Sequence, residues 1–127
     1  MKLLLRRALA ADPALGPEKV RDLLAENGRI TRIAARITPP RDCAVVDARG
    51  LWLFPGFVDA HAHAREPGGE RAEDFRSLGR AAAAGGVTSA LAMPNTSPPC
   101  DSPSLLKDLR ARARTKCAVN LFFAAAL

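Results

Sequence analysis

Hydrophobic and polar positions follow different patterns in the two parts of the chain. Up to residue 54, short apolar runs alternate with turn residues, which is typical of strands. Asn27 and Gly28 separate two such runs, and this dipeptide is the strongest short signal for a β-hairpin. We therefore predict a small all-β region over residues 1–54. Its predicted strands are Leu3–Leu9, Val20–Glu26, Arg29–Ile37, Ala44–Asp47 and Leu51–Phe54.

From residue 55 onward, strand patterns alternate with helix patterns. Phe75, Leu78 and Ala82 recur at spacings of three and four, as on one face of a helix. Ser102 and Pro103 are typical of a helix cap followed by proline at the first helical position. The sequence therefore predicts three strands and two helices. They are strand Phe57–His61, helix Arg71–Ala84, strand Val87–Ala92, a helix that starts at Pro103 and strand Cys117–Ala126.

The order of these elements predicts an α/β fold. Strands joined by single helices form parallel βαβ units, which close into a barrel or build an open doubly wound sheet. A (β/α)₈ barrel needs roughly 250 residues. Three strands and two helices are therefore only the first part of such a barrel. We predict two regions, residues 1–54 and residues 55–127.

Composition narrows the classes of function. The 127 residues are 48% hydrophobic and 25% charged, which is ordinary for a soluble globular protein. The net charge of +6 comes mainly from arginines scattered among acidic residues. With no tyrosine and five phenylalanines, the chain lacks an aromatic platform for bases, so we do not expect nucleic-acid binding.

The N-terminal residues and the cysteine spacing indicate the cellular setting of the protein. The short apolar start is interrupted by Arg6 and Arg7, and no membrane-spanning segment follows it. The three cysteines have no CxxC spacing, which suits reduced thiols rather than a disulfide framework or a zinc knuckle. We expect a cytoplasmic protein that binds a small molecule and no membrane.

His61 and His63 are the candidate metal ligands. They are the only two histidines in the chain, and neutral imidazole is the commonest ligand for zinc-like ions. On a strand, alternate residues point the same way, so Asp59, His61, His63 and Arg65 would share one face. The pair lies where the strand runs into a loop, the end at which barrel enzymes have their sites. Two ordinary surface histidines are the alternative interpretation.

Arg65 and Asn95 are the candidate anion ligands. A guanidinium binds a carboxylate through two parallel hydrogen bonds, and Asn95 follows the second predicted strand of the barrel region. The carboxyl ends of neighbouring parallel strands lie side by side, so both residues are expected to converge on one anion. A solvated loop cation and a turn residue are the alternatives. Asp59 is expected to have a supporting role, and Cys100 to be inert.

At these residues the chain resembles the dihydroorotases of the amidohydrolase superfamily. The combination of HAHAREPG with MPNT is the most specific part of the likeness, which extends over essentially the whole chain. The similar stretches are MKLLLRRALAADPALG with ENGRI, VVDARGLWLFPGFVDAHAHAREPG, RAAAAGGVTSALAMPNTSPPCDSP and VNLFFAAAL.

The resemblance implies a fold and a reaction. The fold is an N-terminal β-sandwich portion followed by the first three strands and two helices of a metal-dependent hydrolase (β/α)₈ barrel. His61 and His63 would bind zinc in a binuclear centre, while Arg65 and Asn95 would hold the carboxylate of dihydroorotate. The reaction is reversible hydrolysis to N-carbamoyl-aspartate in pyrimidine biosynthesis.

The same resemblance implies that the site is incomplete. The family's other metal ligands are a carboxylated lysine, two further histidines and an aspartate that serves as general base, all expected beyond Leu127. Two histidines fall short of the three protein ligands usual in a catalytic zinc site. We therefore expect the N-terminal part of a dihydroorotase, inactive by itself.

Two other functions stay open. One is a non-catalytic dihydroorotase-like subunit that supports an aspartate carbamoyltransferase. Such subunits typically lose the metal histidines, which are present here. The other is an allantoinase or hydantoinase, which usually differs at the positions of Arg65 or Asn95. Assembly into a homo-oligomer is a further expectation about partners.

Overall fold

The structure is a computed structural model that describes residues 1–126. It separates into two compact units, Met1–Pro55 and Gly56–Leu127, with the last residue of the second unit outside the described range. Each unit has its own sheet and its own group of buried apolar residues.

The first unit is built on one mixed five-stranded sheet. Its strand order is β3-β2-β1-β4, and β5 also pairs with β1. Strand β1 runs antiparallel to β2 but parallel to β4 and β5. Leu4, Leu24 and Ile37 form the buried apolar cluster of this unit. The strands are β1 (Lys2–Ala10), β2 (Lys19–Glu26), β3 (Arg29–Ala34), β4 (Cys43–Asp47) and β5 (Trp52–Leu53), with a short 3₁₀ helix at Pro13–Leu15.

The predicted hairpin is confirmed. Strands β2 and β3 pair antiparallel, and Asn27 and Gly28 both take positive φ angles, of 50° and 78°. These angles are easily reached by asparagine and glycine, which explains the dipeptide at the turn.

Strand β3 ends at Ala34, three residues before the predicted end at Ile37. The physical reason is the buried carboxylate of Asp22, which is 1% exposed. It accepts hydrogen bonds from the backbone N–H of Ile37 and from that of Arg7, each at 2.9 Å. After Ala34 the backbone therefore leaves the sheet, and the N–H of Ile37 donates to the Asp22 side chain instead of to a neighbouring strand.

The second unit contains a parallel three-stranded sheet and two helices. The strand order is β6-β7-β8, with one helix between each consecutive pair of strands. This arrangement, together with the mixed sheet of the first unit, confirms the α/β class. The elements are β6 (Phe57–Ala62), α1 (Phe75–Ala84), β7 (Val87–Ala92), α2 (Pro103–Lys116) and β8 (Asn120–Phe123).

Capping residues determine where the helices begin. Helix α1 starts at Phe75 rather than at the predicted Arg71, because Asp74 caps it. The Asp74 carboxylate accepts from the Ser77 N–H at 2.7 Å, and the Ser77 hydroxyl accepts from the Asp74 N–H at 2.9 Å. Helix α2 confirms its predicted start, with Ser102 as the cap.

The core of the second unit lies between the sheet and its helices. Phe75 is fully buried, and its ring packs edge-on against Phe123 with 5.6 Å between centroids. Strand β8 is shorter than the predicted Cys117–Ala126, because Cys117 caps α2 and pairing with β7 begins at Asn120. The buried cluster consists of Ala64, Phe75, Leu78, Ala92, Cys100, Leu109 and Ala113.

Two further observations bear on the predicted setting of the protein. Helices α1 and α2, of 10 and 14 residues, are the only α-helices in residues 1–126, and neither could cross a lipid bilayer. Cys43, Cys100 and Cys117 are free thiols, and Cys100 is buried.

Candidate metal and substrate site

The two histidines lie at the carboxyl end of β6. His61 belongs to the strand, whereas His63 follows its last residue, Ala62. The carbonyl of Ala62 accepts a hydrogen bond from the Met93 N–H at 2.9 Å, so the ends of β6 and β7 are held together. Both imidazoles are exposed, and their ring centroids are 5.3 Å apart.

The predicted strand face is only partly present. The prediction placed four residues on it, namely Asp59, His61, His63 and Arg65. Strand geometry stops at Ala62, and Arg65 has a φ angle of 29°, which is outside the strand region. The side chain of Asp59 accepts from the backbone N–H of His61 at 2.9 Å. The two histidines are therefore held by the end of a strand, while Arg65 is held by a loop.

Asn95 reaches the histidines from the loop after β7. Its side-chain oxygen Oδ1 lies 3.0 Å from Nδ1 of His63. When Nδ1 carries the proton and donates to Asn95, the other ring nitrogen keeps its lone pair for a metal. The Nδ2 amide group of Asn95 then remains a donor for an anion.

The loops after β6 and β7 pack closely against each other. The backbone N–H of Ser97 donates to the carbonyl of Pro67 at 3.1 Å. Gly68 has a φ angle of 92°, and a Cβ there would collide with the carbonyl oxygen of Ser97. Glycine is therefore required where these loops meet.

Arg65 presents its side chain at the surface of the loop. The guanidinium is exposed and forms no ion pair within the part of the chain that the structure describes. Its backbone is fixed, since its carbonyl accepts from the Gly69 N–H at 2.7 Å. Arg65 therefore combines a fixed backbone with an exposed, positively charged side chain.

Glu66 is a residue that sequence reasoning missed. It is completely buried, between the exposed Arg65 and the buried Pro67. Its carboxylate accepts from the backbone N–H of Phe75 at 2.9 Å and from Nζ of Lys116 at 3.0 Å, and it also pairs with the guanidinium of Arg112. Those cations lie 46 and 50 residues later in the chain, so no local pattern predicts the cluster.

The surroundings of Glu66 keep it ionised. Burial favours the neutral acid, but the hydrogen bond from Phe75 and the cations of Lys116 and Arg112 outweigh burial and hold the pKa of Glu66 below its usual value. The buried group is therefore a carboxylate paired with two cations.

The histidine pair fits part of a zinc site. A Zn–N bond of about 2.0 Å and a tetrahedral angle put the ring centroids of two imidazoles about 5 Å apart, close to the observed 5.3 Å. No cluster of three or more metal-binding side chains occurs within residues 1–126. Among the described residues, the two histidines are therefore not joined by a third side chain of this kind.

Comparison with solved structures identifies the class of protein that shares this fold. An L-hydantoinase (dihydropyrimidinase) from Arthrobacter aurescens superposes with a TM-score of 0.85 at 21% identity, over 97% of this chain and 27% of that one. Dihydropyrimidinase from Brevibacillus agri NCHU1002 gives a TM-score of 0.82 at 26% identity, over 100% of this chain and 27% of that one. The chain therefore shares the fold of the matched part of these hydantoinase and dihydropyrimidinase structures, about a quarter of each.

Sequence comparison is more specific. The family model described as "Dihydro-orotase-like" matches residues 50–127. The dihydroorotase of Solibacter usitatus is 43% identical over 122 residues, and that of Anaeromyxobacter sp. (strain K) is 46% identical over 102 residues. The chain therefore belongs to the dihydro-orotase-like family, as the resemblance predicted.

The relatives are considerably longer than this chain. The Solibacter match covers 96% of this chain but 28% of the relative, and the Anaeromyxobacter match covers 80% and 24%. The chain thus spans about a quarter of the length of the curated relatives that it matches.

Proposed function

We propose that this chain is the N-terminal part of a zinc-dependent dihydroorotase, in which His61 and His63 bind metal while Arg65 and Asn95 bind the substrate carboxylate. The observation that carries the proposal is the grouping at the ends of β6 and β7. There, two imidazoles lie 5.3 Å apart and one of them contacts Asn95 at 3.0 Å.

The chemistry of these residue types suits hydrolysis of a cyclic amide. Zinc held by His61 and His63 would supply a water of lowered pKa and would polarise the amide carbonyl. Imidazole nitrogens of His61 and His63 would bind that ion, and Asn95 would orient His63 by accepting a hydrogen bond from Nδ1. The general base and the remaining ligands belong to parts of the protein outside the described residues.

The exposed guanidinium of Arg65 supports dihydroorotate as the substrate. Dihydroorotate carries a carboxylate beside its ring amide, whereas allantoin and simple hydantoins have none. An exposed guanidinium matches a carboxylate in charge and can bind it through two parallel hydrogen bonds. The curated relatives named dihydroorotase support the same choice.

The larger architecture is also a proposal. Residues 55–127 would form the first three strands and two helices of a (β/α)₈ barrel, and residues 1–54 would form a portion of a small β-sandwich. The parallel order β6-β7-β8 supports this, as does the surface of the second unit, where Val58 and Phe122 are 73% and 58% exposed. Large exposed apolar groups are typical of surfaces that other elements cover.

A hydantoinase is the second candidate, because solved structures of that name share the fold. The two candidates differ in their substrate, and an assay separates them. The reading frame is extended past codon 127, the longer protein is purified with zinc, and dihydroorotate, hydantoin and allantoin are compared.

We expect turnover of dihydroorotate to N-carbamoyl-aspartate, and none by the 127-residue chain alone. Preferred turnover of hydantoin or allantoin would overturn the choice of substrate. An extended frame without further histidine and lysine ligands would overturn the catalytic proposal itself.

A further inference from the structure

Glu66 connects the loop that carries Arg65 to both helices of the second unit. One carboxylate oxygen accepts from the N–H of Phe75 at the start of α1, and the other pairs with Arg112 and Lys116 of α2. A buried charge without partners is strongly unfavourable, so the Glu66 side chain is confined to the one position where all three partners meet.

The position of Glu66 determines that of its neighbour. Arg65 and Glu66 are consecutive, and the Glu66 side chain is buried while that of Arg65 is exposed. The Gly69 N–H donates to the Arg65 carbonyl, and a Cβ on Gly69 would lie only 2.8 Å from that oxygen. The backbone at Arg65 is therefore held from two sides, by the buried carboxylate and by the turn that closes at Gly69.

We infer that Glu66 is a positioning residue, whose ion cluster with Arg112 and Lys116 fixes the loop of residues 63–70 so that Arg65 meets the substrate carboxylate. This inference rests on the proposed function of Arg65. Glu66 itself does not touch the substrate, because its carboxylate is fully buried.

A purely structural role would make a different prediction. If Glu66 only stabilised the second unit, its loss would accelerate opening everywhere in that unit. If it positions the loop, local opening of residues 63–70 increases beyond the global effect. The Gly69 amide reports on the Arg65 backbone directly, and the Ser77 amide, which donates to Asp74, reports on α1.

The test is amide hydrogen exchange by NMR on the 127-residue chain. In Glu66→Gln we expect Gly69 to exchange at least about tenfold faster than in the wild type, with a smaller change at Ser77. Glu66→Asp, which keeps the charge, restores most of the protection. Leu109→Ala is the matched control, since it removes a buried side chain of α2 and leaves the ion cluster intact.

Equal acceleration at Gly69 and Ser77 in Glu66→Gln would overturn the inference. An acceleration concentrated at Gly69 in Leu109→Ala would also overturn it. If Glu66→Gln does not fold, Lys116→Met gives the same comparison, because it removes one cation and leaves Arg112. We expect a smaller increase, again concentrated at Gly69.

A second readout uses the longer protein. Glu66→Gln is expected to raise KM for dihydroorotate about tenfold or more while kcat changes less, because Arg65, the residue proposed to bind the substrate carboxylate, is displaced. A fall in kcat at unchanged KM would contradict the positioning role. If the wild type does not hydrolyse dihydroorotate, the proposed function fails, while Gly69 exchange still decides whether Glu66 holds the loop.

Discussion

The contact between His63 and Asn95 leads to a prediction about the zinc affinity of the proposed metal site. Asn95→Ala removes the oxygen that lies 3.0 Å from Nδ1 of His63. Without that acceptor the imidazole can turn and change tautomer, so fewer molecules present the other nitrogen to the metal. Loss of such an orienting partner typically weakens metal binding about 10- to 100-fold, or about 1.4 to 2.7 kcal/mol.

The assay is a zinc titration followed by the imidazole resonances in NMR spectra. His61 and His63 are the only histidines, so the spectrum contains just two imidazoles. Asn95→Asp supplies an acceptor in the same place and is expected to bind zinc at least as well as the wild type. Asn120→Ala is the matched control, because Asn120 contacts Thr88 and Ser89 and neither histidine.

Equal zinc affinity in Asn95→Ala and the wild type, within a factor of about two, would refute the reasoning. The contact would then have no part in orienting the ligand. Weaker binding in Asn120→Ala would show that the loss reflects general destabilisation.

Three further predictions concern stability. Asp22→Asn is expected to lower the free energy of unfolding by about 1 to 3 kcal/mol at neutral pH. Burial raises the pKa of Asp22, but hydrogen bonds and nearby arginines outweigh burial and lower it. The stability difference therefore persists above about pH 4 and disappears as pH falls through the folded-state pKa, which is measured by urea unfolding followed by Trp52 fluorescence. Phe75→Ala is expected to cost about 3 to 5 kcal/mol, measured by urea unfolding followed by circular dichroism. Gly68→Ala, which combines a positive φ with a collision at Ser97, is expected to cost about 1 to 3 kcal/mol; unchanged stability in any of these variants would contradict its explanation.

Sequence signals predicted turns and helix starts correctly where residues that are adjacent in the sequence determine them. The turn at Asn27 and Gly28 and the cap at Ser102 are settled by neighbouring residues, and the structure has both. The predicted start of α1 at Arg71 was wrong by four residues. The apolar positions that predict this helix all follow Asp74, and the capping box of Asp74 and Ser77 begins the helix at Phe75.

Long-range contacts were beyond the reach of these signals. Strand β3 ends early because Asp22, 15 residues from Ile37, takes the backbone hydrogen bond. Glu66 finds its cations on α2, and no spacing within HAHAREPG points to them. The interpretation of Arg65 as part of a strand face failed for a related reason, since the turn to Gly69 redirects the backbone.

Recognition of a substrate carboxylate by Arg65 is the basis of the proposed substrate. The most direct test measures kcat/KM of the longer protein and its Arg65→Met variant, with dihydroorotate and with dihydrouracil, which has the same ring without the carboxylate. Arg71→Met, another exposed arginine, is the control. We expect kcat/KM for dihydroorotate to fall about 100-fold in Arg65→Met, from the loss of about 3 kcal/mol of charged hydrogen bonding, and kcat/KM for dihydrouracil to change little. Equal losses for both substrates, or no loss for dihydroorotate, would contradict this role of Arg65.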